Sequence, residues 1–77
     1  MATFGELIRA HRERVHLTQV DVEERARISQ SHLSALEVGR RGPSVPVLRR
    51  LGGTYALTDA ELGELLRAPL RPEAVTV

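Results

Sequence analysis

The chain has no cysteine, no lysine and no tryptophan, and its only aromatic residues are Phe4 and Tyr55. Without cysteine, neither disulfides nor thiolate metal sites can stabilise it, and a reducing cytoplasm is a compartment it can occupy. Two isolated aromatics cannot form the stacked platform on which single-stranded nucleic acid is held. No apolar run approaches the length of a membrane span. The acidic Glu6 among short apolar clusters is unlike a signal peptide. The expectation is a soluble intracellular protein with no membrane partner. The histidines are His11, His16 and His32, with no His-x-x-x-His spacing, so no metal is expected. There is also no glycine-rich phosphate loop, and too little chain to enclose a nucleophile in a pocket. Catalysis, cofactors and a small-molecule ligand are therefore not expected.

What is present fits one small domain. A chain of 77 residues has room for a single core of modest stability. The net charge of +1 conceals a division. Residues 1–55 hold nine arginines and six acids, a balance of +3, whereas residues 56–77 hold two arginines and four acids, a balance of −2. A positive face in the first part can attract an anionic partner. All eleven cationic side chains are arginine, a bias that GC-rich coding accounts for.

Hydrophobic periodicity and capping residues predict five helices. Thr3-Phe4-Gly5-Glu6 has capping-box spacing, and Phe4, Leu7, Ile8, His11 and Val15 follow one helical face. Thr18 opens a second helix over about 19–26, with Asp21 in its positive first turn. Ser29 opens a third over 29–38, and Gly39 stands where a left-handed cap ends it. Ser44 opens a fourth, carrying Val45, Leu48, Leu51 and Tyr55 inward, with Gly52-Gly53 inside it at up to about 1 kcal/mol each against alanine. Thr58-Asp59-Ala60-Glu61 is another capping box, opening a fifth with Leu62, Leu65 and Leu66. Pro69 and Pro72 end regular helix. The domain is expected over residues 1–67, with 68–77 a flexible tail whose residues 73–77 alternate enough for a short strand.

The segment from Leu17 to Pro43 is the most informative. Val22 and Ala26 lie four apart, Ile28 fills the turn, and Leu33 and Leu36 lie three apart, as two short helices sharing one apolar core require. The outer face of the second helix of the pair then holds Gln30, Ser31, His32, Ser34 and Ala35. It is short, polar and uncharged, which suits base edges better than phosphates.

Taken together, Arg12, Leu17-Thr18-Gln19, the apolar Val22, Ala26, Ile28, Leu33 and Leu36, and Glu37-x-Gly39-x-x-x-Pro43-Ser44 resemble the helix-turn-helix of the phage repressor, Cro and Xre family. The resemblance covers roughly residues 4–66. It implies an all-α, compact five-helix, lambda-repressor-like domain that binds duplex DNA. It implies base reading by Gln30, Ser31, His32, Ser34 and Ala35, and phosphate contacts from Gln19, Arg40, Arg41, Arg27 and Ser44. It also implies an ion pair between Arg12 and Glu37, and a homodimer through Leu57, Leu62, Leu65 and Leu66 on the fifth helix. Two positions depart from the pattern. Glu23 stands where a small residue lets the two helices approach, and Arg27 where a turn glycine takes positive φ. A slightly opened helix pair is the expectation.

The resemblance thus implies a sequence-specific transcriptional regulator, repressor-like, on a near-palindromic operator. Such a protein is cytoplasmic and nucleoid-associated, bacterial or phage-encoded, and controlled by concentration, dimerisation or a partner protein. The rival reading is a protein-interaction module, an antitoxin or adaptor with a vestigial DNA face, which Glu23 and the small net charge keep open.

Overall fold

The computed structural model describes residues 2–71, and among these it has five helices and no strand: α1 (Phe4–Arg14), α2 (Gln19–Ala26), α3 (Gln30–Glu37), α4 (Val45–Thr54) and α5 (Asp59–Arg67). None is long and apolar enough to cross a membrane. Residues 73–77, expected as a strand or a loose end, lie outside the described residues.

Local chemistry sets the helix starts. Thr3 with Glu6, Thr18 with Asp21, and Thr58 with Glu61 each form a complete capping box. In each, the threonine hydroxyl takes the N–H three residues on, and the carboxylate takes the threonine N–H. Those N–H bonds hold all three carboxylates below their ordinary pKa. Ser29 caps α3 by accepting the His32 N–H at 3.1 Å. Ser44 occupies the cap position of α4 but makes no side-chain cap bond. The second residue of that helix is Pro46, which has no N–H to give. Gly39 has φ 85°, the left-handed conformation that glycine adopts without strain.

The helices enclose one core of Phe4, Ile8, Leu17, Val22, Ala26, Ile28, Leu33, Leu36, Val47, Leu48, Leu51, Tyr55 and Leu65. Helix α1 packs on α3 and α5, and α2 packs on α3 and α4. One expected inward position turns outward. Val45 is 62% exposed and Val47 is buried in its place. At about 100° per residue, Val47, Leu48, Leu51 and Tyr55 share one arc, and Val45 lies roughly 110° from its centre. On α5, Leu65 is buried while Leu66, roughly 100° around the helix, is 64% exposed.

Close contacts tie the ends of the domain together. A methyl group added to Gly5 would lie 2.6 Å from the Leu36 carbonyl oxygen, so α1 meets the last turn of α3 with no room for a side chain. The Phe4 N–H donates to the Pro69 carbonyl at 2.8 Å, and Leu70 lies against Gly42. Residues 68–71 therefore run back over α1 and the α3–α4 loop.

Candidate nucleic-acid interface

Helix α3 presents two unlike faces. Leu33 and Leu36 are buried, and the opposite side forms one wall of an open groove lined by Gln19, Gln30, Ser31, Ser34, Ala35, Val38 and Arg40. No carboxylate lines this groove. It gathers four of the five residues expected to read bases, together with Gln19 and Arg40 from the expected phosphate set. His32 does not line it, and Arg27, Arg41 and Ser44 also lie outside it. Arg41 is nevertheless close by. The Ala35 carbonyl accepts the N–H groups of both Arg40 and Arg41, at 2.9 and 3.3 Å, which fixes the loop pair to the end of α3. Sequence periodicity did not single out Val38. It follows the last residue of α3, one turn on from Ser34, and is 66% exposed. Its apolar surface in a polar groove suits a thymine methyl group.

The groove is held in shape by a buried ion pair. Arg12 donates from Nε to Glu37 Oε2 at 2.7 Å and from Nη2 to Oε1 at 3.0 Å, and its Nη1 bonds the Leu17 carbonyl at 2.8 Å. The side chains are only 11% and 4% exposed. The bond to Glu37 raises the Arg12 pKa above its ordinary value. Gln19 Nε2 joins the cluster by donating to Glu37 Oε1 at 3.1 Å. One proton of that amide remains for a phosphate oxygen. A single carboxylate thus joins α1, the entry to α2, and α3. Nearby, burial pushes the Tyr55 phenol well above its ordinary pKa.

The two departures from the family pattern have distinct structural outcomes. Arg27 takes φ 56° and ψ 41°, the left-handed conformation of a turn glycine, with a side chain attached. Glu23 stays outside the core and accepts the Gln30 N–H at 3.1 Å, so its carboxylate serves the first turn of α3. Val22, Ala26 and Leu33 remain buried beside it.

The dimer residues divide. Leu65 is 1% exposed and belongs to the chain's own core, which corrects its expected place in an interface. Leu57 and Leu62 are half-buried, and Leu66 alone of the four is well exposed.

The chain is similar to known helix-turn-helix proteins. A family model of the helix-turn-helix domain matches residues 3–68. An uncharacterised HTH-type transcriptional regulator of Sinorhizobium fredii is 46% identical over 46 residues, 60% of this chain and 60% of that protein. The immunity repressor protein of Bacillus phage phi105 is 36% identical over 63 residues, 80% of this chain and 44% of that protein. The chain spans about half the length of these curated relatives.

Proposed function

Because the chain belongs to the helix-turn-helix domain family, in its phage-repressor and Xre branch, we propose that it binds duplex DNA in a sequence-specific way and represses transcription. Helix α3 enters the major groove. Gln30, Ser31, Ser34 and Ala35 meet base edges, with Val38 against a thymine methyl and His32 at the margin. Gln19, Arg40 and Arg41 bind phosphates on either side, and Arg27 and Ser44 complete the backbone contacts. Two chains pair through α5 about a two-fold axis, with Leu66 central and Leu57 and Leu62 beside it. Such pairing sets the two α3 helices about 34 Å apart and calls for a near-palindromic operator.

The observation that carries this reading is the groove itself. Polar uncharged side chains suited to base edges are collected along one side of α3, without a carboxylate and with an arginine at the end. The Arg12–Glu37–Gln19 cluster holds those side chains on a rigid support. Helix α3 has no acidic residue of its own in its first turn, where Glu23 of α2 accepts the Gln30 N–H.

The test is selection of genomic duplex fragments by the purified protein, followed by sequencing. Recovery of one inverted-repeat motif, bound by two chains, is expected. Retention of fragments without a shared motif overturns sequence-specific reading, and retention of none favours a protein-interaction module.

A further inference from the structure

A second positive face lies apart from the α3 groove and shares no lining residue with it. Arg25 and Arg27 at the end of α2, with Arg49 and Arg50 on α4, line one open cleft that contains no carboxylate. None of the four belongs to an ion pair among the described residues, whereas Arg9, Arg12 and Arg14 each do.

Two features of this cleft oppose folding. Four like charges in one cleft repel one another. Arg27 also holds a left-handed backbone conformation that glycine would take freely. Within the chain the only hydrogen bond that any of the four side chains makes, among the described residues, is from Arg50 Nη1 to the Arg27 carbonyl, at 3.4 Å. Strain at Arg27, with like charge that Asp21 offsets only at Arg25, is the pattern of a surface that meets an anion outside the protein.

We infer that this cleft holds the sugar–phosphate backbone of the duplex beyond the outer end of the site read by α3. The inference rests on DNA binding by α3 and extends it. Position selects this anion. Arg27 comes two residues before Ser29, the cap of α3, so the cleft adjoins the end of that helix where Gln30 and Ser31 stand. A duplex whose base edges meet the first turn of α3 continues past this turn. It presents an unbroken line of phosphates, and planar guanidinium forks match phosphate oxygens in pairs. The open form of the cleft suits a continuous rod. An acidic protein segment is the competing occupant.

The test uses the whole chain and its selected operator in two lengths, one ending at the site and one extended by about ten base pairs on each side. The unmodified protein binds the longer duplex several-fold more tightly. The double variant Arg25→Ala, Arg49→Ala loses that gain and binds the short duplex as before. Its dependence of log affinity on log salt on the long duplex flattens by about 1.8, or 0.9 per lost contact. Both side chains are exposed and make no hydrogen bond among the described residues, so the variant keeps its helical content, and relief of like-charge repulsion keeps its melting temperature from falling. A second variant, Arg27→Gly, melts at a higher temperature and yet binds the long duplex more weakly. A purely structural role for Arg27 cannot produce that opposition. Equal binding of both lengths by the unmodified protein, or undiminished affinity and slope in the double variant, overturns the inference. So does a double variant that keeps all its DNA binding while losing affinity for a polyglutamate peptide. A flank-dependent gain without sequence preference supports the cleft and contradicts base reading by α3. Absence of any DNA binding overturns both.

Discussion

Gln30 donates its backbone N–H to the Glu23 carboxylate at 3.1 Å, so the first turn of α3 already carries an anion of the protein's own. Helix N-termini attract anions, and on the proposed docking of α3 Glu23 occupies a place that a DNA phosphate would approach. The substitution Glu23→Gln keeps an oxygen to accept the N–H and removes the charge. Affinity for duplex of any sequence should rise several-fold while the melting temperature changes little. Fluorescence anisotropy on random duplex gives the answer, and unchanged or weaker binding counts against this role of Glu23.

The Arg12–Glu37 pair is nearly inaccessible to water, and each partner depends on the other. Glu37→Ala leaves the Arg12 guanidinium buried without its counter-charge and should cost about 3–5 kcal/mol. That is a large part of the stability of a domain this small. Replacing both, as Arg12→Met with Glu37→Leu, should restore most of the loss. Thermal melts of the single and double variants decide it. A single variant that melts like the parent shows that the pair carries no weight.

Reading and positioning should separate on two kinds of DNA. Gln30→Ala is expected to cost about 1–3 kcal/mol on the selected operator and little on random duplex. Arg41→Ala should weaken both about equally and flatten the salt dependence by about one unit. If both variants affect cognate and random duplex alike, Gln30 does not read bases.

Adjacent leucines on α5 should behave in opposite ways. Leu65→Glu places a carboxylate in the core and should abolish cooperative folding, whereas Leu66→Glu should give a folded monomer with weakened operator binding. Circular dichroism and sedimentation distinguish them. Folded, dimeric Leu66→Glu at tens of micromolar removes α5 as the pairing surface.

Acid should weaken the fold through its helix caps. Glu6, Asp21 and Glu61 all have pKa values lowered by the capping boxes. The folded chain therefore holds fewer protons than the unfolded chain near those values, and stability rises with pH there. Their contribution is complete above the ordinary carboxylate range and is lost as pH falls through the lowered values. The melting temperature should be level near neutrality and decline below about pH 4. Glu61→Gln removes one titrating carboxylate while keeping an oxygen for the Thr58 N–H, and should make that decline shallower. An unaltered acid limb in Glu61→Gln rules out a contribution from the α5 cap.

Much of this arrangement is legible in the amino-acid sequence. A threonine followed three residues later by a carboxylate specifies its own helix start, because both partners of the box are local. The pairs Val22 with Ala26 and Leu33 with Leu36 likewise specify which sides of α2 and α3 meet. Once that side is buried, Gln30, Ser31, Ser34 and Ala35 have to face out. The roles of Val47 and Val45 were not legible in the same way. Periodicity defines an arc of a helix, and only the direction of its neighbours decides where the centre of that arc falls. The same limit applied to Leu65 and Leu66.

Local sequence by itself determined the five helices, their caps and the uncharged outer side of α3, because those depend on hydrogen bonds and spacings within a few residues. Tertiary structure alone decided the rest. Packing of α2 on α4 brings Arg25 and Arg27 beside Arg49 and Arg50 across more than twenty residues of chain. Packing of α1 on α5 brings Phe4 to Pro69, and packing of α2 on α3 aims the Glu23 carboxylate at the first N–H of α3. Those relations arise from where helices cross, and the crossing is fixed by the shape of a shared core rather than by any one segment.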